Sequence, residues 1–184
     1  MNGSIKQIPA PTHYRAESDE VFYTDARIVT TGADDIAFLK QQAAANPRRR
    51  CRLCAHPDPG DSLHEMLIVH HRETYVRPHC HIGKSESLSV IEGRVLAVMF
   101  DEDGDIFEVI DMRRPESGGA FYYRMPEGIL HTLLIESEWL VFAEATSGPL
   151  DSSKTRFADW APDGRDAAEA AQFMKDLRVR CEPL

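Results

Sequence analysis

Residues 77–94 read RPHCHIGKSESLSVIEGR. His79 and His81 stand one residue apart, Glu86 follows five residues later and Gly93 another seven. Alternate residues of a strand share a face, so the two imidazoles are expected to point the same way, with Cys80 on the other side. Glu86 opens the next predicted strand and can fold back beside them. The stretch therefore predicts a place where nitrogen and oxygen donors converge.

The sequence around this stretch has the pattern of many short strands. Runs of β-branched and aromatic residues recur, separated by glycine, proline and acidic turns. Even spacing of such runs is typical of an antiparallel sandwich or barrel. Hydrophobic periodicity also predicts a helix before them and one after them, over 34–46 and 166–178. The predicted strands are one or two within 21–29, then 64–70, 73–78, 86–92, 94–101, 105–111, 120–125, 130–136 and 139–146.

Composition and charge exclude several classes of protein. The 184-residue chain has a net charge of −9, which argues against a general nucleic-acid binder, since phosphate contacts need clustered basic side chains. It has no apolar run of the roughly 18 residues that a membrane span needs. The N-terminus has no hydrophobic signal region, so we expect a cytoplasmic protein whose four cysteines are reduced thiols. The role of Cys51 and Cys54 stays open, because a zinc or redox site would need partners that the sequence does not place.

A third histidine, His131, lies in the segment MPEGILH, where Pro126 and Gly128 mark a turn that enters another strand. With His79, His81 and Glu86 it supplies three imidazole nitrogens and one carboxylate. Such a set suits one divalent transition metal, namely Fe, Mn, Ni or Zn, and leaves coordination positions open for a substrate or O₂.

These residues resemble the cupins, which are small metalloproteins with a double-stranded β-helix, or jelly roll. The first cupin motif ends in His-x-His, a glutamate and a glycine, and here it reads His79, His81, Glu86 and Gly93. The second is Pro-x-Gly-x-x-His, present as Pro126, Gly128 and His131. The sequence departs from the motifs at Glu73, where they have glycine, and at Ile135, where they have asparagine; neither is a ligand position.

More narrowly, the sequence is similar to the WbuC-type cupin metalloproteins over roughly residues 20–163. The similar stretches are NPRRRCRLCAHPDPGDSLHEML, TYVRPHCHIGKSES, and EATSGPL followed by FADWAP. The resemblance implies an all-β, single-domain jelly roll with an N-terminal helical arm and a C-terminal helix, and makes a homodimer the expected assembly. The expected segments are a loose arm at 1–20, a strand and helix arm at 21–62, the barrel at 63–150 and a C-terminal extension at 151–184.

Several polar residues are candidates for a substrate site around the metal. The densest basic run, RRRCR at 48–52, is either a solvated segment or an anion clamp, because the arginine fork matches carboxylate and phosphate. The resemblance places this run near the barrel mouth. The candidates for substrate binding are Arg50, Arg52, His56, Tyr75, Arg77 and Lys84, and Glu144 is either a general base at the rim or an ordinary strand carboxylate.

Three functions are compatible with these features. The first is a metal-dependent enzyme of the isomerase or epimerase type, acting on a small oxygen-rich anion such as a sugar derivative of surface-polysaccharide metabolism, which the WbuC-type resemblance suggests. The second is an Fe(II)-dependent oxygenase, and the third is a non-catalytic, metal-dependent sugar-binding module. Proton transfer would indicate the isomerase or epimerase, and oxygen uptake would indicate the oxygenase. Tight ligand binding without either reaction would indicate the binding module.

Overall fold

Two facing β-sheets and two helices make up the part of the chain that the computed structural model describes, which is residues 10, 11 and 13–181. Half of the segment 1–20, predicted as a loose arm, lies outside the described residues, and Tyr14–Ala16 of the other half form a strand that was not predicted. The helices are α1 (Ala33–Ala45) and α2 (Ala167–Arg180). The strands are β1 (Tyr14–Ala16), β2 (Val21–Thr24), β3 (Arg50–Cys54), β4 (Leu63–His71), β5 (His79–His81), β6 (Glu86–Glu92), β7 (Arg94–Phe100), β8 (Ile106–Arg113), β9 (Tyr122–Met125), β10 (Leu130–Ile135), β11 (Trp139–Ser147) and β12 (Thr155–Phe157).

The strand order is that of a jelly roll. One sheet has the order β1-β2-β3-β4-β11-β6-β9 and the other β12-β5-β10-β7-β8. Strands β7 and β8 form a hairpin, and outside it β6 pairs with β9, β5 with β10 and β4 with β11, all antiparallel. This nesting describes one long antiparallel ribbon rolled up so that its strands alternate between the two sheets, which is the double-stranded β-helix that the sequence predicted.

The core fills the space between the sheets. Apolar side chains from both inner faces meet there, among them Leu88, Val90 and Phe142 of one sheet and Val95 and Leu133 of the other. Strands β4 and β11 pair over nine residues, from Trp139 opposite His71 to Ser147 opposite Leu63. Alternation along them sends every second residue inward, and this positions the polar residues of the site as well as the core.

The helices cover the outer faces. Phe38, Leu39 and Ala43 of α1 pack on the seven-stranded sheet at residues such as Leu53 and Val69. On the other sheet, α2 packs through Leu177, with Phe173 and Met174 beside it. Both predicted helices are confirmed, with ends shifted by one or two residues. No helix in the described ranges is long and apolar enough to cross a membrane.

The strand predictions differ from the structure in several places. Residues 73–78 are not a strand, because the chain crosses there from one sheet to the other, and the amide and hydroxyl of Thr74 bond to backbone oxygens of His71 and Arg49. Conversely, the basic run is not a solvated segment after the helix, since Arg50–Cys54 is a central strand between β2 and β4. The short strand β12 was also missed.

Gly93 occupies a turn that no other residue fits. Its φ is 92°, and a Cβ there would lie 2.2 Å from the Trp139 carbonyl oxygen. We expect Gly93→Ala to lower the free energy of unfolding by about 2–5 kcal/mol, since overpacking adds to the strain of a left-handed backbone. Gly118→Ala is the matched control, because its φ is 71° but no atom lies within 4 Å of the added Cβ. Equal losses in urea unfolding would mean that the contact with Trp139 is unimportant.

Candidate metal centre

Strand β5 presents two imidazoles on its inner face. His79 and His81 alternate with Cys80, which is buried in the outer cluster under α2. The strand lies between β12 and β10, and His131 of β10 stands directly opposite His79. The ring centroids of His79 and His131 are 4.6 Å apart, and one nitrogen from each of the three histidines lies within 4.8 Å of the others. The structure thus brings together the three histidines that the sequence predicted.

The turn of the second motif is attached to the strand of the first. The Gly128 amide donates to the His81 carbonyl oxygen at 2.8 Å, and the Gly83 amide donates to the Glu127 carboxylate at 2.6 Å. These bonds tie the loop after His81 to the loop before His131, so the rings are held by two fixed turns as well as by a sheet.

Hydrogen bonds set the tautomers of two rings. His79 Nδ1 lies 2.8 Å from the Arg77 carbonyl oxygen, and His131 Nδ1 lies 2.9 Å from the Ile129 carbonyl oxygen. A carbonyl oxygen can only accept, so each Nδ1 carries the proton and each Nε2 is left with its lone pair in the neutral ring. Bonds of this kind orient histidines that bind metals in proteins.

Glu86 completes the group. Its Oε2 is 3.0 Å from His81 Nε2 and its Oε1 is 3.3 Å from His131 Nε2, while Tyr123 donates its hydroxyl to Oε1 at 2.7 Å. Tyr123 belongs to this group of contacts and was not predicted from the sequence. Its contact depends on the pairing of β6 with β9, and no local sequence signal specifies that register.

The charges at this centre favour a bound cation. Burial raises the pKa of Glu86, but bonds with His131 and His81 outweigh it and hold the pKa well below its usual range. For His131, burial lowers the pKa, but the hydrogen bond and charge of Glu86, the Ile129 carbonyl and the charge of Glu144 together raise it above its usual value. Burial, and then the charge on His131, lowers the pKa of His79 to about 4. Glu86 therefore stays ionised and His79 stays neutral, as metal ligands must, whereas a metal has to displace the proton that Glu86 favours on His131.

The residues fit a divalent metal. Nitrogens of the three histidines converge, and the Glu86 carboxylate lies against those of His81 and His131. The lone pair of a neutral Nε2 there would repel the Glu86 oxygens unless a proton or a metal cation stood between them. The buried His81 Nδ1 has no hydrogen-bond partner among the described residues. Glu86 and His131 are buried whereas His79 and His81 are partly exposed, so the nitrogen cluster can be reached from one side.

Glu144 lies on the inner face of β11, with Leu88 and Met66 as its cross-strand neighbours. It is surrounded by protein but keeps some exposure at the mouth of the barrel. Burial, and next the negative charge of Glu86, raises its pKa to about 8. A carboxyl group of this strength holds a proton near neutral pH and can also give it up.

The predicted substrate residues fall into separate groups. Tyr75 donates to the Pro162 carbonyl oxygen at 2.8 Å, and Arg77 bonds to the Ala158 carbonyl oxygen at 3.1 Å, so both are engaged with the C-terminal extension. His56 is stacked on His64, with ring centroids 4.0 Å apart. Lys84 is partly exposed and its charge acts on Glu144. Arg50 bonds to Glu20, whereas Arg52 faces the barrel interior beside Cys54.

Cys51 and Cys54 do not form a single site. Cys51 packs under α1, and Cys54 belongs to the cluster between the sheets. Their side chains lie on opposite faces of β3, and burial raises the pKa of the Cys51 thiol to about 12. They are two separate buried thiols.

Comparison with known proteins finds a partial match to one family model and several structural likenesses. A domain of unknown function, DUF6016, matches residues 32–112, which is less than half of the chain. No significant match is found among curated proteins.

Three solved structures illustrate the structural likeness. KdgF from a Halomonas species is 15% identical over 59% of this chain and 84% of its own, with a TM-score of 0.44. A mutant of the oxalate decarboxylase OxdC from Bacillus subtilis is 17% identical over 59% of this chain but only 27% of its own, with a TM-score of 0.46. The capsular polysaccharide assembling protein CapF from Staphylococcus aureus is 17% identical over 58% of this chain and 31% of its own, with a TM-score of 0.44. The jelly-roll assignment rests on the strand order of the two sheets.

Proposed function

We propose that this protein is a metal-dependent enzyme that moves a proton within a small oxygen-rich anion, as an isomerase or epimerase does. The observation that carries the proposal is the placement of Glu144, a carboxyl group with a pKa of about 8, on the inner face of the sheet that carries Glu86, across the interior from the sheet that carries the three histidines. A proton-transfer catalyst works best when its pKa lies near the operating pH. A structural metal site would have no use for such a group.

In this proposal His79, His81, His131 and Glu86 hold one divalent transition metal. When bound, the metal supplies a Lewis acid that polarises a carbonyl or hydroxyl oxygen and so acidifies the adjacent hydrogen. Tyr123 fixes the Glu86 carboxylate through its 2.7 Å bond, and the backbone bonds of His79 and His131 fix the imidazoles. Preorganised donors of this kind need no rearrangement during the reaction.

Glu144 is the proposed proton carrier. In its ionised form the carboxylate takes a proton from the substrate carbon or hydroxyl next to the polarised oxygen. In its protonated form it returns the proton to the neighbouring atom, which completes an isomerisation, or to the opposite face of the same carbon if the substrate turns. The barrel wall around it is apolar, with Leu88, Met66 and Tyr123 nearby, and this keeps bulk water from competing for the proton.

The substrate class follows from the resemblance to WbuC-type cupins, which suggests a sugar derivative of surface-polysaccharide metabolism. That subgroup assignment is part of the proposal, as are the homodimer and the cytoplasmic location. The metal itself is left among Fe, Mn, Ni and Zn, since imidazole and carboxylate ligands serve all four.

The test is hydrogen exchange with solvent. Protein loaded with each of the four metals would be incubated in D₂O with uronates and sugar phosphates, and deuterium uptake followed by mass spectrometry. Glu144→Gln should slow exchange by about 10²–10⁴-fold, the usual contribution of a general acid–base. Glu65→Gln is the control, because Glu65 lies on the neighbouring strand β4 but is exposed.

The other outcomes identify the alternatives. Oxygen uptake by the Fe(II) form, with no deuterium incorporation, would replace the isomerase with an oxygenase. Ligand binding without either reaction would make the protein a binding module. Equal exchange rates in wild type and Glu144→Gln would remove Glu144 from the mechanism.

A further inference from the structure

The arginines of the basic run at 48–52 differ in whether a carboxylate of the protein pairs with them. Arg50 Nε lies 2.9 Å from Glu20 Oε2, and Arg48 lies 3.4 Å from the same oxygen. Arg49 pairs with Glu73 at 3.3 Å and donates to the Ala44 carbonyl oxygen. The first three arginines are therefore balanced by acidic groups of the protein itself, and they fasten the arm to its neighbours.

Arg52 is different. It faces inward, as Cys54 does, while Cys51 and Leu53, which alternate with them, face α1. Its cross-strand partner is Ile68, also in the cluster between the sheets. The Arg52 Nε atom is buried and has no hydrogen-bond partner, and no carboxylate of the described residues forms an ion pair with this guanidinium.

The groups around Arg52 do not neutralise it. The thiol of Cys54 and the ring of Tyr23 lie next to it, and both are uncharged near neutral pH. His70 is buried and neutral, since burial and then the charges of Arg48 and Arg52 lower its pKa to about 3. Glu144 is near enough for its carboxyl to feel the Arg52 charge, but the described residues show no ion pair between the two side chains. A half-buried guanidinium with a free N–H thus lacks an anion.

We propose that Arg52 binds the anionic group, a carboxylate or a phosphate, of the substrate whose reacting oxygen lies at the histidine cluster. This inference rests on the proposed function and names the anchor that the substrate uses. The planar fork of an arginine suits either group in a bidentate contact.

The layout of the sheet places Glu144 between Arg52 and Glu86. Strands β3, β4, β11 and β6 are consecutive neighbours, and their registers offset Arg52 from Glu86 by four residues, so the two backbones are separated by about 14 Å across the strands and by about 14 Å along them. Both side chains reach inward from these strands and shorten that gap. Glu144 stands on β11 between them, and its carboxyl is sensitive to the charges of Arg52 on one side and Glu86 on the other. A ligand held at both ends would pass Glu144.

The experiment measures binding to the full-length, metal-loaded protein by calorimetry. The probes are glucuronate, glucose 6-phosphate and uncharged glucose. Arg52→Met should weaken binding of the charged probes by about tenfold to a hundredfold, the effect of losing charge-assisted hydrogen bonds. Arg52→Lys, which keeps the charge but not the fork, should fall between. Binding of glucose and the metal content should not change.

Arg50→Met is the matched control, because Arg50 lies two residues away on the same face but is already paired with Glu20. It should leave affinity for both charged probes within about twofold, which is within the scatter of uninvolved surface changes. Preference for one charged probe identifies the anionic group as carboxylate or phosphate.

Two results would overturn the anchor. One is wild-type affinity for the charged probes in both Arg52 variants. The other is a wild-type protein that binds neither charged probe more tightly than glucose. A wild type that binds charged probes through Arg52 but exchanges no hydrogen would retain the anchor and reject the proposed isomerase, so the two failures can be told apart.

Discussion

Replacing His131 with alanine is expected to remove most of the bound metal from protein purified without a chelator. Wild type should carry close to one divalent transition metal per chain, and His131→Ala should carry only a small fraction of that, since the variant loses one of four donors and the bond that orients Glu86. Elemental analysis of the two proteins measures the difference directly.

The same variant should lose the stabilisation that metal binding gives. A ligand at a thousandfold excess over its Kd stabilises the folded state by about 4 kcal/mol. For a chain of this size that corresponds to a rise in Tm of roughly 10 °C. Adding a chelator should therefore lower the Tm of wild type by this amount and leave the Tm of His131→Ala almost unchanged.

His64→Ala is the control for this experiment. His64 is 6% exposed and His131 is 4% exposed, so the two substitutions leave holes of the same size at similar burial. His64 lies on β4, outside the cluster of three histidines. The His64→Ala variant should keep its bound metal, and a chelator should lower its Tm as it does in wild type. A wild type without metal, or His131→Ala with full occupancy, would contradict the assignment.

The sequence specified the donor cluster because its determinants are local. Strand alternation places His79 and His81 on one face, and Gly93 is required by a turn whose geometry excludes a side chain. The proline and glycine before His131 mark the second turn in the same way. Each of these features is encoded within a few residues, so the predicted positions agree with the structure.

Strand β3 could not be recognised from its pattern. Apolar residues normally mark the face of a strand that points into a barrel, and charged residues mark the face that points to water. Here Cys51 and Leu53 face a helix on the outside, while Arg50 and Arg52 face the polar end of the interior. From the sequence alone this alternation is typical of a solvated basic segment. Only the structure shows that α1 covers the apolar face of β3 and that its charged face points inward.

Contacts between strands that are distant in the sequence could not be predicted either. The Tyr123 bond to Glu86 depends on the register of β6 against β9, and the position of Glu144 depends on that of β11 against β6. A shift of one residue would turn either side chain to the opposite face. The sequence could propose Glu144 as a base, but only the packed sheets supply the burial that changes its pKa.

Glu144→Gln should make the stability of the protein less dependent on pH. In the folded state the pKa of Glu144 is raised from 4.5 to about 8, first by burial and then by the charge of Glu86. Between these values the folded chain holds a proton that the unfolded chain has released, so the free energy of unfolding falls as pH rises. Below pH 4.5 and above about pH 8 this contribution is constant.

The measurement is urea unfolding of wild type and Glu144→Gln at several pH values after removal of metal, so that release of metal by protonated imidazoles does not add its own pH dependence. The stability of wild type relative to the variant should decline by up to about 1.4 kcal/mol per pH unit within the window. Titration of the histidines occurs in both proteins and largely cancels in this difference.

Loading the site with metal should neutralise the charge of Glu86, which is the second cause of the raised pKa of Glu144. The pKa of Glu144 should then fall, and the pH range over which stability declines should end at a lower pH, because only burial still raises this pKa. Parallel stability curves for the two metal-free proteins would mean that Glu144 ionises at its ordinary pKa, and it would then lack the proton near neutral pH that the proposed mechanism requires.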